Sequence, residues 1–239
     1  MSAGLHVNDL VAGYGGPPVL GGVNIDVEPG ETVALLGANG AGKTTLSRTI
    51  AGLTPAYSGT IKLGDVELTG RPVHRIVRDG LVTVPEGRRL FARLTVEGNL
   101  RLAFYGREAS EEQIERRLEE AYERFPRLRD RRGQAVGTMS GGEQQMLAIA
   151  KALLLDPAVL VLDEPSTGLA PIIVEQLLDI IVRLAEEASC GVLLIEQNVG
   201  SALKVSDRAY VLERGSVTIS GSADELAANE AVRAAYLGA

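Results

Sequence analysis

Residues 37–44 read G-A-N-G-A-G-K-T. Gly37, Gly40 and Gly42 remove Cβ atoms from the loop, so successive backbone N–H groups can converge on one crowded anion. Asn39 and Ala41 complete the loop and belong to the same cradle. Lys43 supplies a point charge for the outer phosphates of a nucleoside triphosphate. The Thr44 hydroxyl is placed to ligate Mg²⁺, and Thr45 continues the phosphate-binding turn. This is a complete Walker A pattern. Residues 32–36 (T-V-A-L-L) in front of it are apolar and β-branched, and read as a buried strand. Residues 45–51 behind it open a helix whose N-terminal dipole would face the phosphates. The plainer alternative, a glycine-rich turn before an ordinary helix, leaves the Lys-Thr pair unexplained.

Further along, residues 159–164 read V-L-V-L-D-E, an apolar strand ending in two carboxylates. An α/β sheet places its ligand at such strand ends. Asp163 would hold Mg²⁺, directly or through water, and Glu164 would polarise the water attacking the γ-phosphate. Read alone, Asp-Glu-Pro is also ordinary turn chemistry. Between these motifs lies S-G-G-E-Q, residues 140–144. Ser140 and Glu143 form a capping box for a following helix. A helix N-terminus is itself an anion site. Capping does not require Gly141 and Gly142, which cost helix propensity in the first turn. They would let the backbone approach a phosphate.

The chain has 239 residues, which suits one α/β domain or one with an embedded subdomain. Its 24 basic and 31 acidic residues leave a net charge of −7, against a general nucleic-acid binder. Cys190 is the only cysteine, so no intrachain disulfide forms, and before an apolar strand it reads as a small buried hydrophobe. The N-terminus lacks a signal-peptide layout. Apolar runs such as 159–162 and 192–195 are too short to span a bilayer. A role at a membrane would need other subunits to cross it.

Strands are expected at 5–14, 19–27, 32–36, 81–84, 159–162 and 191–195, with hairpins at 60–68 and 210–219. From about 86 to 139 the sequence becomes charged, arginine-rich and mostly helical. Ser110 and Gln113 form a capping box there, and Ile114, Leu118, Ala121, Tyr122 and Phe125 share one helical face. Pro126 ends that helix. Helices follow at 141–155 and about 172–188.

The order of phosphate loop, S-G-G-E-Q and Asp163-Glu164 resembles the ATP-binding subunits of ATP-binding-cassette (ABC) transporters, over essentially the whole chain. The resemblance implies an α/β, P-loop NTPase (RecA-like) core with an antiparallel β subdomain and an inserted α-helical subdomain. Residues 1–239 would be one ATPase domain. Segments 1–85 and 156–239 would form the nucleotide-binding core, and 86–155 the helical subdomain carrying the Ser140 motif. It further implies ATP and Mg²⁺ as cofactors and a head-to-tail pair of ATPase subunits. In that pair Ser140, Gly141, Gly142 and Glu143 of one subunit close over the γ-phosphate held by the other. Tyr14 would stack on adenine, its alternative being a strand-end core tyrosine.

Three positions depart from the common family pattern. Glu86 stands where most members have Gln, Ala170 where most have Asp, and Gln197 where most have His. Glu86 can bind Mg²⁺, but needs metal or a cation such as Arg88 to balance its charge. Gln197 can donate a hydrogen bond to the γ-phosphate without a histidine's partial positive charge. Ala170 makes no cross-dimer polar contact. The departures read either as a weakened ATPase or as subfamily identity. V-P-E-G-R-R-L-F, S-G-G-E-Q-Q-M-L-A-I, E-P-S-T-G-L-A-P and I-E-Q-N resemble the ATPase subunits of branched-chain (hydrophobic) amino acid uptake systems.

That likeness implies transmembrane permeases, a second, non-identical ATPase subunit and an extracytoplasmic substrate-binding protein as partners, with no nucleic acid. The chain would sit at the cytoplasmic face of the cell membrane. A urea or amide importer, a soluble ABC ATPase and a weakly hydrolysing regulatory module remain as alternatives. Phe91 and Leu94, beside Arg88, Arg89 and Arg93, would line the groove that receives a permease helix. His6 and His74 lie in no motif.

Overall fold

The computed structural model describes residues 3–188 and 190–237. In chain order the strands are β1 (Leu5–Ala12), β2 (Leu20–Val27), β3 (Thr32–Leu36), β4 (Ala56–Leu63), β5 (Val66–Glu67), β6 (Leu81–Val84), β7 (Val159–Asp163), β8 (Gly191–Glu196), β9 (Arg208–Glu213) and β10 (Ser216–Ser222). The helices are α1 (Lys43–Ile50), α2 (Val73–Asp79), α3 (Val96–Arg101), α4 (Glu111–Arg124), α5 (Pro126–Asp130), α6 (Gly141–Leu153), α7 (Pro171–Ala188), α8 (Val199–Leu203) and α9 (Ala223–Ala228).

Six strands form one sheet in the order β10-β9-β3-β8-β7-β6, parallel except for the β9–β10 hairpin. The central strands β3, β7 and β8 are buried at every position. Continuous apolar runs such as V-L-V-L arise because both faces of a parallel sheet are covered. Val33, Leu35, Val159, Val161, Leu193 and Ile195 point to one side, against α1 and the antiparallel sheet β2-β1-β4-β5. Ala34, Leu36, Leu160, Leu162, Val192 and Leu194 point to the other, into a core shared with α3, α4, α6 and α7.

The charged stretch after β6 folds as α3, α4 and α5. Ser110 and Gln113 close a reciprocal cap on α4, and Leu118, Ala121 and Tyr122 are its buried residues. Pro126 ends α4 and also starts α5 as its first residue, since its missing N–H is an orphan there anyway.

Several boundaries differ from the sequence reading. The first strand stops at Ala12, so Tyr14 lies beyond it. β4 begins at Ala56 rather than 60, because Ala56 and Ser58 pair with Ala12 and Val11 across a bulge in β1. Helices α2, α8 and α9 were not anticipated. Cys190 is buried, and burial pushes its thiol pKa up to about 11, the state of an inert packing residue.

Candidate nucleotide-binding site

Strand β3 delivers the loop 37–42 to the carboxyl edge of the sheet, and α1 begins at Lys43. Gly42 caps the helix with φ 112°, a left-handed conformation that leaves the first N–H groups of α1 without a side-chain cap. Those donors face the loop. The Lys43 ammonium is buried. It donates to the Gly37 carbonyl at 2.9 Å and the Ala38 carbonyl at 3.4 Å, and pairs with Glu164 Oε1 at 3.1 Å. The two motifs are therefore joined by an ion pair whose side chains are 4% and 13% exposed.

Glu164 follows the last residue of β7 and adopts φ 47°. Its N–H donates to the Ile195 carbonyl at 2.9 Å, and the Thr167 hydroxyl lies 3.3 Å from Oε2. The left-handed turn directs its carboxylate away from the strand and toward Lys43. Asp163, one residue earlier, stays in the sheet and is 3% exposed. Its Oδ1 is buried without a hydrogen-bond partner. Burial raises the Asp163 pKa, Ser47 pulls it down, and Glu164 and Glu86 add to the rise.

One cleft of about 480 Å³ gathers much of the sequence-derived set. Asn39, Gly40, Gly42, Lys43, Thr44 and Thr45 form one wall. Tyr14, Glu86, Glu164 and Gln197 lie around it. Tyr14 is 60% exposed and its hydroxyl is 3.2 Å from that of Thr45. The core-tyrosine alternative fails on that exposure. Gly37 and Ala41 sit behind the wall, with Ala41 buried.

Ser140, Gly141, Gly142 and Glu143 do not line this cleft. They form the N-terminus of α6, where the Ser140 N–H donates to Glu143 Oε2 at 2.9 Å and the Glu143 N–H to Ser140 Oγ at 3.4 Å. Arg131 Nε is 2.8 Å from Glu143 Oε1. Burial pushes the Glu143 pKa up, but the Ser140 hydrogen bonds and Arg131 bring it below the ordinary value. Gly142 has an intrachain reason as well: a Cβ there would lie 2.6 Å from Ile173 Cγ2 of α7.

Arg88 does not balance Glu86. Its Nε donates to Gln145 Oε1 at 3.1 Å, and its guanidinium lies against Gly141, so it spans from the β6 loop to α6. The sequence reading also passed over Glu196. This carboxylate ends β8, is 3% exposed, and accepts the Ser166 N–H at 3.0 Å and the Gln197 N–H at 3.3 Å. Its signal was an acidic residue closing an otherwise apolar buried strand, since a buried charge requires partners. His6 pairs with Asp26 on the antiparallel sheet and takes no part in the cleft.

A phosphate loop joined through its lysine to the carboxylate beyond β7, a parallel strand one place removed from β3 across β8, defines a P-loop nucleoside triphosphatase. Residues 20–167 match the ABC transporter family. The chain is 48% identical over 225 residues to the high-affinity branched-chain amino acid transport ATP-binding protein BraG of Pseudomonas aeruginosa, covering 94% of this chain and 95% of that one. It is 40% identical over 226 residues to a protein of Archaeoglobus fulgidus named "Probable branched-chain amino acid transport ATP-binding protein LivF", covering 95% of each. A solved ATP-binding subunit of an ABC transporter superposes with a TM-score of 0.82 at 33% identity, covering 98% of this chain and 95% of that one. The chain belongs to the ABC transporter family, as an ATP-binding and ATP-hydrolysing subunit. Permease partners, dimerisation and a peripheral place at a membrane come with that membership. Among the described residues no helix is long and apolar enough to cross a membrane.

Proposed function

We propose that this chain hydrolyses ATP to drive uptake of branched-chain amino acids through separate permease subunits at the cytoplasmic face of the membrane. The observation that supports this most is the 48% identity to BraG across 94% of the chain. Segments 1–85 and 156–239 serve as the nucleotide-binding core, and 86–155 as the helical subdomain. A second ATPase subunit, non-identical to this one, and an extracytoplasmic binding protein complete the system.

In this reading Tyr14 stacks on adenine. The N–H groups of 37–45 and the Lys43 ammonium take the β- and γ-phosphates. Asp163 suits a metal, because its buried Oδ1 has no other partner. No three His, Cys, Asp or Glu side chains converge as a cage among the described residues. Thr44 and Asp163, with Glu86 at the rim, would hold Mg²⁺ together with the nucleotide's own oxygens, the usual arrangement for this ion. When bound, the ion would neutralise phosphate charge. As Lys43 turns from Glu164 to the phosphates, the Glu164 carboxylate is released to orient and deprotonate the attacking water. Gln197 donates a hydrogen bond to the γ-phosphate. Ser140, Gly141, Gly142 and Glu143 complete the partner's site, which accounts for their position outside this chain's own cleft.

Permease docking falls to an apolar groove of about 260 Å³ between α2, β6 and α6, lined by Leu53, Val73, Val77, Pro85, Leu90 and Lys151. Phe91 and Leu94 stand exposed beside it. The test is to isolate the tagged chain from its own membranes in mild detergent and identify what accompanies it. Two permeases and a second ATPase subunit, followed by ATP-dependent leucine uptake in vesicles, are expected. Uptake of urea in place of leucine would overturn the substrate, and purely soluble partners would overturn transport.

A further inference from the structure

The loop that follows Glu164 has to be held in place from somewhere. In this chain Ala170 gives it no polar side chain with which to grip a partner subunit. The internal contacts are therefore decisive. The Thr167 N–H donates to the Glu164 carbonyl at 3.2 Å and the Leu169 N–H to the Ser166 carbonyl at 3.1 Å, which coil the loop on itself. Neither contact ties it to the sheet. That tie is made by Glu196, whose Oε1 accepts the Ser166 N–H and whose Oε2 accepts the Gln197 N–H.

Position explains the reach of this carboxylate. Glu196 is the last residue of β8, the strand between β3 and β7. In the parallel register it stands opposite Leu36, the residue before the phosphate loop. Its neighbour Ile195 stands opposite Asp163 and accepts the N–H of Glu164. One buried side chain thus sits among the three strand ends that carry Lys43, Glu164 and Gln197.

We propose that Glu196 is a positioning residue for hydrolysis, a carboxylate splint that fixes the Ser166 loop and the Gln197 backbone relative to each other and so sets the geometry of Glu164. The inference rests on the reading of Glu164 and Gln197 given above. Glu196 touches no nucleotide-facing group of the phosphate loop, so it acts on turnover and not on affinity. The two N–H donors meet different oxygens, Oε1 and Oε2, and a pair of acceptor oxygens on one side chain requires a carboxylate. A glutamine keeps the volume but turns an N–H toward one of the two donors. An alanine removes both acceptors.

The experiment compares Glu196→Ala and Glu196→Gln with the unchanged chain in the assembled complex, measuring kcat and KM for MgATP, with fluorescent-nucleotide affinity of the isolated chain alongside. Glu196→Ala is expected to lower kcat about 10–100-fold, as loss of an orienting outer partner commonly does. Its KM and nucleotide affinity should stay within about threefold, the mark of an interaction made in the transition state. Glu196→Gln should fall in between. Turnover of Glu196→Ala at the unchanged rate, or a parallel loss of affinity and kcat, overturns the proposal. Where Glu196→Ala does not fold, Glu196→Gln decides it: a kcat equal to that of the unchanged chain overturns it. Glu164→Gln, run in parallel, separates the two readings. If that variant is inactive and Glu196→Ala is not, the splint alone is wrong; if that variant is fully active, the role of Glu164 is wrong first.

Discussion

Replacing Glu164 by Gln should slow hydrolysis and tighten nucleotide binding at the same time. The Lys43 ammonium reaches Glu164 Oε1 at 3.1 Å with both side chains mostly buried, so solvent screens the pair little. A triphosphate needs that same ammonium, and each binding event must exchange one anion for another. A hydrogen bond to a charged group is worth about 1.5–3 kcal/mol net. A neutral amide oxygen keeps roughly half, so the exchange becomes about 1 kcal/mol cheaper, or roughly fivefold in affinity. Loss of the general base meanwhile lowers turnover about 10²–10⁴-fold. Phosphate release from the assembled complex measures the second effect, and equilibrium titration of the isolated chain with a fluorescent ATP analogue measures the first. Unimpaired turnover would remove Glu164 from catalysis. Weaker binding by the variant would refute the competition between carboxylate and phosphate, whatever happened to the rate.

Asp163→Asn should stabilise the fold while abolishing Mg²⁺-dependent turnover. Burial raises the Asp163 pKa, so the folded protein holds that proton more tightly than the unfolded chain. The ionised form therefore costs stability as pH rises above the ordinary value of 3.8. The gain should be seen as a raised Tm at neutral pH and vanish on acidification toward that value. A lower Tm at neutral pH would contradict it. Phe91→Ala should lower coupled transport and permease co-purification but leave ATP binding intact, since the ring is 56% exposed, lies 5.6 Å from the Lys151 ammonium and lines no part of the nucleotide cleft. Loss of ATP binding by the isolated mutant counts against that docking role. Gly142→Ala should destabilise the isolated chain by about 1–2 kcal/mol through overpacking against Ile173, with partial rescue by Ile173→Ala, read by thermal or urea unfolding. A stability equal to the unchanged chain's would leave the glycine a purely cross-dimer reason.

The parts of the molecule that could be read from sequence are those whose physics is local. β3 and β6 fall on 32–36 and 81–84 as expected, and β7 and β8 within a residue, because strands buried on both faces are nearly unbroken apolar runs. The Ser110 and Ser140 caps were legible for the same reason, being satisfied within four residues. Helix α2 escaped because it is short and buries only Ile76, too little for a periodic signal; Pro72 before it and Gly80 after it were the available clues. Helix α9 escaped although Ser222 and Glu225 form a third capping box. In the cleft, contiguous motifs announced themselves, whereas Glu196 gains its meaning only from the strands beside it. Arg88 misled for a related reason: proximity in sequence to Glu86 did not decide where its guanidinium would point.

The surroundings of Glu86, Ala170 and Gln197 bear on whether these departures are decay or subfamily identity. A decaying ATPase would be expected to lose its buried polar contacts first, because an unmet buried charge costs more than a lost surface group. Here three such contacts are intact, and the open buried carboxylate oxygen, Asp163 Oδ1, is the one a metal would take. Lys43 is paired and doubly hydrogen-bonded, Glu196 has both oxygens satisfied, and Glu143 is capped and paired with Arg131. The departures lie at exposed positions: Glu86 and Gln197 face the cleft, and Ala170 lies in the loop that Glu196 ties from beneath. Change confined to exposed positions, with the supporting contacts retained, fits subfamily identity better than decay. On the proposed reading the active complex pairs this chain with an unlike subunit, and full turnover by the chain paired with a second copy of itself would refute that.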